Sequence, residues 1–568
     1  MRVVLALLFL SLEGAPLSTF DCESQLPRFH FTGVERAGLD ALGEAVGLPV
    51  EEWGWEKAWT EASYQSGWAR QALGNPIQTL PDLLSKAETV WGDSFPANAW
   101  HEEKGVSPNR EGLSSWHSPL LQAIGEARLF LDEIKGGMSI QDRKELEESA
   151  RAILAGEEGR EGRFVALLMS VWEGRSGEED YRNFSTPPFA EEGRILWRAA
   201  VASGGLDGLP LPGVYETEFG RMGIGRMEDD LWEGDFALII DPGGDDTYLL
   251  ESGPWRVQVV VDRGGDDIYK TGAWPGAGSG ILGFGILLDW EGNDRYIGGR
   301  GSWGVGMGGV GLLWDGEGND EYIGIELTQG AALVGWGRLL DEDGNDSYRA
   351  GRMAQGFGWT AGEGTLWDKD GNDIYYAMGT FLHEPLYSDR YQSLSQGFGL
   401  GMRYEGYGGG IGILRDSAGN DRYLAEVYCQ GAGYWYGVGL LWDEGGHDAY
   451  SCHIYGQGAG IHLAAGYLVD EGGDDTYALL DGVGQGGGHD LAVGFLHDWG
   501  GNDYYSGAGL AQGSGNANGL GILVDRSGND GYQGVKGVCQ GLGNAGRGVL
   551  SGGCLFGLAG GVRVALCV

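Results

Sequence analysis

Basic residues are scarce in this chain. Its 568 residues hold 38 Lys and Arg against 82 Asp and Glu, a formal net charge of −44. A nucleic-acid surface needs Lys and Arg against the phosphates, so nucleic acid is excluded as a partner and divalent cations are favoured. Cysteine is scarce too. Six in a chain this long make no disulfide framework. Cys539, Cys554 and Cys567 crowd the C-terminal end, where one bridge would suit a cap in an oxidising compartment. With only 16 Pro and no Gly-X-Y period, collagen is excluded; with 42% hydrophobic and 11% aromatic residues, so is a disordered chain. No apolar run reaches the ~20 residues of a transmembrane helix. The run Val3–Leu12, with Arg2 before it and Gly14-Ala15-Pro16 after it, suits a secretion signal over residues 1–22, although Pro16 spoils a cut after Ala15. A secreted, periplasmic or cell-surface location follows as the expectation. His-Glu-x-x-His, Gly-x-Ser-x-Gly and Walker motifs are all missing. Gly278-x-Gly280-x-x-Gly283 and Gly304-x-Gly306-x-x-Gly309 lack the βαβ context of a dinucleotide site.

Glycine is abundant, 110 of 568 residues, well over twice the usual share of about 7%. Much of it belongs to a repeat, Asp-x-x-Gly-(Asn/Asp)-Asp-x-Tyr, as in Asp289-Trp290-Glu291-Gly292-Asn293-Asp294-Arg295-Tyr296. The opening Asp recurs at Asp241, Asp262, Asp289, Asp315, Asp341, Asp368, Asp416, Asp443, Asp470, Asp498 and Asp525, mostly 26 to 28 residues apart. A fixed period of this length marks a solenoid. The fold class read from it is mainly β: a parallel β-helix or β-roll of about 11–12 coils over residues 206–568 with a C-terminal cap, preceded by an α-helical domain over 23–205.

Numbering each coil from its opening Asp, position −2 is Leu and position −4 is Gly in nine consecutive copies, from Gly285 and Leu287 to Gly521 and Leu523. Positions −1, −3 and −5 vary. This alternation predicts a strand with the Leu face buried, and the Gly requires a close opposite wall, so the coil is narrow. Tyr at +7 occurs in all eleven copies and +9 is mostly small, which predicts a second strand with Asp +5, Tyr +7 and +9 inward. The coil then turns at a Gln-Gly pair such as Gln329, Gln355, Gln396 and Gln430. Stacked Gln amides are expected to bond to one another along the axis. Cys429 and Cys539 share the column before this Gln, four coils apart and too distant to pair.

Gly292-Asn293-Asp294-x-Tyr296 and its ten equivalents resemble the half-site of the repeats-in-toxin family, whose Gly-Gly-x-Gly-x-Asp nonapeptides bind calcium in a parallel β-roll. The resemblance implies calcium ligation by Asp246, Asp267, Asp294, Asp320, Asp346, Asp373, Asp421, Asp448, Asp475, Asp503 and Asp530. Two departures stand out: Asp replaces the family's first Gly, and the period is 27. The opening Asp is argued from electrostatics. Stacked coils lie about 4.8 Å apart, so like charges in one file repel by roughly 3 kcal/mol per neighbouring pair at a dielectric near 20. With Asp245, Asp266 and Asp474 at +4, the loops carry 25 carboxylates. Calcium would offset the repulsion; the alternative is hydrogen bonding to loop amides.

Upstream, Ser118-Pro119 followed by Leu120, Ile124, Ala127, Leu131 and Ile134 predicts a helix, as does Ser139 with Asp142 before Leu146, Ala150 and Ile153. Further helical patterns cover 81–91 and 187–201. Such helices are expected to shield the first coil. The 48-residue step after Asp368 carries two insertions, 379–393 and 402–408. Loops on a rigid scaffold are where binding or catalysis sits, and Glu384, Asp389 and Glu405 are the acids a polysaccharide-cleaving enzyme would pair. Outward Trp314, Trp367 and Trp442 are expected to be covered or stacked. The leading expectation is a secreted or surface, non-enzymatic, calcium-stabilised solenoid with a structural, adhesion or matrix role; the alternative is a polysaccharide-binding or -cleaving protein.

Overall fold

The computed structural model describes residues 119–173, 188–202, 209–384, 386–402, 409–517, 519–539, 543–544 and 563–567. Most of these residues form a parallel solenoid of about ten turns. One coil shows the plan. Val310–Asp315 is the long strand, the Asp loop follows, and Glu321–Ile323 is the second strand. After the Gln329-Gly330 turn comes a two-residue strand, Ala332–Leu333, and then the next long strand, Trp336–Asp341. Equivalent residues pair in parallel between coils: Leu313 with Leu339, Tyr322 with Tyr348, Ala332 with Gly358. The three strand types build sheets of fourteen, twelve and ten strands among the described residues. Fewer coils are complete than the eleven Asp loops suggest. The step from Asp241 to Asp262 is too short to include the third strand.

The inward residues are those the repeat predicts. Leu at −2 and Tyr at +7 share one core that runs the length of the solenoid. The Tyr rings from Tyr248 to Tyr532 stack on their neighbours, for example 4.7 Å between Tyr296 and Tyr322 and 4.9 Å between Tyr348 and Tyr375. The Gly at −4 is required by the third strand's approach. A Cβ on Gly311 would lie 2.0 Å from the Val305 carbonyl oxygen, and one on Gly439 would lie 2.0 Å from that of Ala432. The narrow coil is borne out.

The variable positions of the long strand are buried as well, including Val310, Leu312 and Trp314. Among the described residues four helices, Pro119–Gly136 (α1), Ile140–Ala155 (α2), Glu161–Glu173 (α3) and Pro188–Ala202 (α4), precede the solenoid. The predicted face of α1 (Leu120, Ile124, Ala127, Leu131 and Ile134) is buried and joins the outward side of the long sheet in one core. Phe130 of α1 packs on Phe284, and Gly193 of α4 sits against Val310. Each such buried side chain contributes about 1.5–3 kcal/mol. Ser139 caps α2 by accepting the Asp142 N–H, and the helix ends at Gly156 with φ 80°. Helix α3 was not singled out by the sequence pattern. The described helices lie along the flank of the sheet, and α1 also meets the first-edge hairpin, where the Phe219 ring packs against Gly125. At the first edge an antiparallel pair, Gly213–Thr217 with Gly220–Ile224, closes the stack. At the far end Arg563–Cys567 runs antiparallel to Leu520–Asp525. Antiparallel ends interrupt the parallel template that an open edge would offer. No described helix is long and apolar enough to cross a membrane. The expected signal and the 81–91 helix lie outside the described residues.

The outward Trp residues are covered by neighbours along the axis. Trp314 packs on Trp290, and Arg415 sits between Trp367 and Trp442, 4.2 and 4.3 Å from their ring centres.

Candidate metal centre

Each Asp loop places two carboxyls inside the coil. The opening Asp ends the long strand. Asp +5 immediately precedes the second strand, two residues before the core Tyr. Between them the loop glycine has no room for a side chain. A Cβ on Gly292 would lie 1.9 Å from the Gly265 carbonyl oxygen and 2.7 Å from Oδ1 of Asp294.

The two carboxyls bond differently. Oδ1 of each Asp +5 accepts the backbone N–H of the Asp +5 one coil earlier, as in Asp320 N–H to Asp346 at 2.6 Å and Asp373 N–H to Asp421 at 2.6 Å. This chain of bonds runs from Asp246 to Asp530. Oδ2 of the opening Asp accepts the hydroxyl of the preceding Tyr: Tyr322 to Asp341 at 2.6 Å, Tyr348 to Asp368 at 2.7 Å, Tyr423 to Asp443 at 2.7 Å. Asp443, Asp470 and Asp498 also accept a loop N–H at 2.9 Å each.

An oxygen is left over on the opening Asp in five of the eleven loops and on Asp +5 in nine. Oδ1 of Asp289, Asp315, Asp341, Asp368 and Asp525 has no donor, nor has Oδ2 of Asp246, Asp294, Asp320, Asp346, Asp373, Asp421, Asp448, Asp475 and Asp503. All of these aspartates are buried. The carboxyls of successive loops converge. Asp241, Asp246 and Asp262 each bring an oxygen within 4.8 Å of the others, and so do Asp262, Asp267 and Asp289; Asp289, Asp294 and Asp315; Asp315, Asp320 and Asp341; and Asp341, Asp346 and Asp368, with five more groups of at least three His, Cys, Asp or Glu meeting the same criterion.

Desolvation first, then neighbouring aspartates, pushes the pKa values of these carboxyls up: Asp320 to about 8, Asp346 to about 10, Asp421 to about 8, and Asp368 and Asp443 well above the ordinary range. The file as built therefore holds either protons or a metal. Its donors are all oxygen, which suits a hard cation and not a thiolate- or imidazole-seeking metal.

All 22 sequence-predicted aspartates lie on this file. Asp416, Asp443, Asp448, Asp470, Asp475, Asp498 and Asp503 continue it toward the C-terminal end, and only Asp530, at the last loop, is half-exposed. The three +4 acids do not belong with them. Position +4 forms a separate, exposed ladder in which Asn319 donates to Asn293, Asn345 to Asn319 and Asn420 to Asn372. Asp266 and Asp474 act as acceptors in that ladder, held below the usual range by the amides of Asn293 and Asn502. His447 joins it through Nδ1, 2.7 Å from the Asp474 N–H, as a variant loop residue.

Two further expectations are corrected or extended. The Gln side chains make no amide ladder. Gln430 Nε2 donates to the carbonyls of Tyr423 (2.9 Å) and Ser451 (3.0 Å), tying its own second strand to the next coil. Trp303 takes the Gln place in an earlier coil and donates to the Ile323 carbonyl. The sequence reading also missed a degenerate first loop. Ile224 pairs with Ile240 and Trp232 with Tyr248, so Gly225 replaces the opening Asp and Trp232 the Tyr. Trp232 Nε1 donates to Asp241 at 2.8 Å, preserving the Tyr-to-Asp bond. The signal was present as Asp229-Asp230-x-Trp232.

The inserted hairpin, Leu382–His383 with Tyr387–Ser395, extends the Gln corner beside Val427–Cys429. Glu384 and Asp389 are exposed on it, and Glu405 lies outside the described residues. Arg390 of the hairpin pairs with the half-buried Glu426 at 3.3 Å. No family model, no curated protein and no solved structure matches this chain.

Proposed function

We propose that this chain is a calcium-loaded β-solenoid that works outside the cytoplasm as a structural, adhesion or matrix element. The observation that carries the metal reading is the row of buried aspartate groups whose oxygens converge within 4.8 Å, in a file where many carboxylate oxygens have no donor. An unpaired buried carboxylate costs several kcal/mol, and a row of them repels itself, so a cation is the occupant that turns this cost into stability. Calcium would bridge the opening Asp and Asp +5 of one loop to the opening Asp of the next, cross-linking coils that otherwise touch only their neighbours. The apolar N-terminal run after Arg2 supports export to a compartment where calcium is plentiful. The non-enzymatic reading is supported by the regularity of the coils, which spend their acids on the interior.

The test is a pair of melting curves with a metal count. Calcium at a hundredfold excess over Kd adds about 2.7 kcal/mol for each independent site. Dialysed protein is expected to retain several calcium ions per chain and to lose tens of degrees of Tm in chelator. Superimposable melts with chelator and with calcium, or retention of no metal, would overturn the proposal.

A further inference from the structure

The metal reading leaves one buried reactive pair unused. Cys429 precedes Gln430 in one coil, and Cys452 ends the second strand, Ala449–Cys452, of the next. Their sulfurs lie 2.9 Å apart. Both are fully buried, in a small cluster with Ala425 and Leu479. Gly456 makes the space: a Cβ there would lie 2.3 Å from the Cys452 sulfur and 2.9 Å from that of Cys429. In other coils the matching positions hold small residues such as Ala350, Ala354, Ala377 and Ser395.

We infer that Cys429 and Cys452 form a disulfide that staples the coil bearing the inserted hairpin to the coil after it. A sulfur–sulfur bond is about 2.05 Å, so closure needs a movement of less than about 1 Å. Cys429 adjoins Tyr428 on the strand that pairs with the inserted Tyr387–Ser395, so the bond would anchor the base of the insertion. The chemistry is thiol–disulfide exchange. Two thiols are oxidised to one disulfide with loss of two protons, and the two electrons reduce a disulfide of the oxidising partner, a protein disulfide or glutathione disulfide, to two thiols. Exchange proceeds through a thiolate at an accessible sulfur. In the closed coil neither sulfur meets solvent, and burial holds the Cys429 thiol well above its ordinary range. The bond therefore forms as the coil closes in an oxidising compartment, and afterwards it is shielded from reductant.

The experiment is a disulfide map of the full chain, refolded with glutathione disulfide and excess calcium. The protein is unfolded with iodoacetamide and no reductant, digested and weighed. The peptides of Cys429 and Cys452 should appear as one linked species, lighter than their sum by two hydrogens and separated by dithiothreitol. Recovery of both cysteines alkylated, or of either linked to another cysteine, overturns the inference, and no variant has to fold for this result. Oxidised protein should also melt several degrees above reduced protein, and Cys429→Ala should abolish that gap. A mapped bond that leaves Tm unchanged overturns the stapling role.

Discussion

The two corners of each coil solve the same problem with different chemistry. At the Gln corner an amide donates to two backbone carbonyls and leaves its own oxygen without a donor, as at Gln329, Gln430 and Gln512. At the Asp corner two carboxyls accept one N–H and one Tyr hydroxyl per coil and also leave oxygens over. The difference is charge. An orphaned amide oxygen costs about 1–3 kcal/mol and does not repel its neighbours. An orphaned carboxylate carries a charge that repels the next one along the file. The Gln corner is complete as folded, whereas the Asp corner needs a proton or a metal. The distinction is between a stacked polar column closed by its own backbone and one that could hold a metal ion.

The largest expected break in this comparison is pH. Without metal, the folded file keeps protons that the unfolded chain releases near pH 4. With Asp341 raised to about 7 and Asp320 to about 8, that stability is full below about pH 4 and is lost as pH rises through 7 and 8. Under the proposed function calcium would displace these protons, so its binding should strengthen over the same range. Urea midpoints in chelator should fall from pH 5 to pH 8, and the gap between calcium and chelator should widen. A chelated protein more stable at pH 8 than at pH 5 contradicts the protonated file.

Next comes the wall that holds the corners apart. Gly439→Leu drives a side chain into the Ala432 carbonyl and should cost at least about 3 kcal/mol. Gly299→Ala, with nothing within 4 Å of the new Cβ, should stay within about 0.5 kcal/mol. Denaturant titration of both variants measures the contrast, and similar losses would mean the narrow wall is misplaced.

Tyr348→Phe keeps the stacked ring but removes the donor to Asp368. The expected loss is about 1.5–3 kcal/mol, read from urea midpoints in chelator and recovered in part by calcium. The finest contrast pairs one residue from each corner. Asp421→Asn should stabilise the metal-free protein slightly and weaken the calcium response. Gln430→Leu should cost about 1–2 kcal/mol equally with and without calcium. Calcium dependence in the Gln variant would erase the distinction between the corners.

Much of this was legible in one dimension. The 27-residue period, Leu at −2, Gly at −4 and Tyr at +7 sufficed for a narrow parallel solenoid, because an in-register stack forces each column to meet the same neighbours in every coil. The 22 aspartates were legible for the same reason. Other features were not. The +4 acids looked like part of the file, but one residue along a turn is enough to change inside for outside. The Gln amides looked like a self-bonding ladder, but the carbonyls of the adjacent strands lie nearer than the next amide. The variable face of the long strand gave no sign of burial, because what covers a sheet need not repeat with it.

The amino-acid order by itself determined the repeat, its inward columns and the acidity of one corner, since these follow from periodicity and charge within a single coil. Only the tertiary structure decided which carboxyl oxygens are left without donors, that Tyr hydroxyls reach the Asp of the next coil, that helices cover the flank, and that Cys429 meets Cys452. The helix cover depends on packing that does not repeat with the coil; the others depend on the offset between successive coils, and a distance of a few ångströms across that offset leaves no trace in the spacing of residues along the chain.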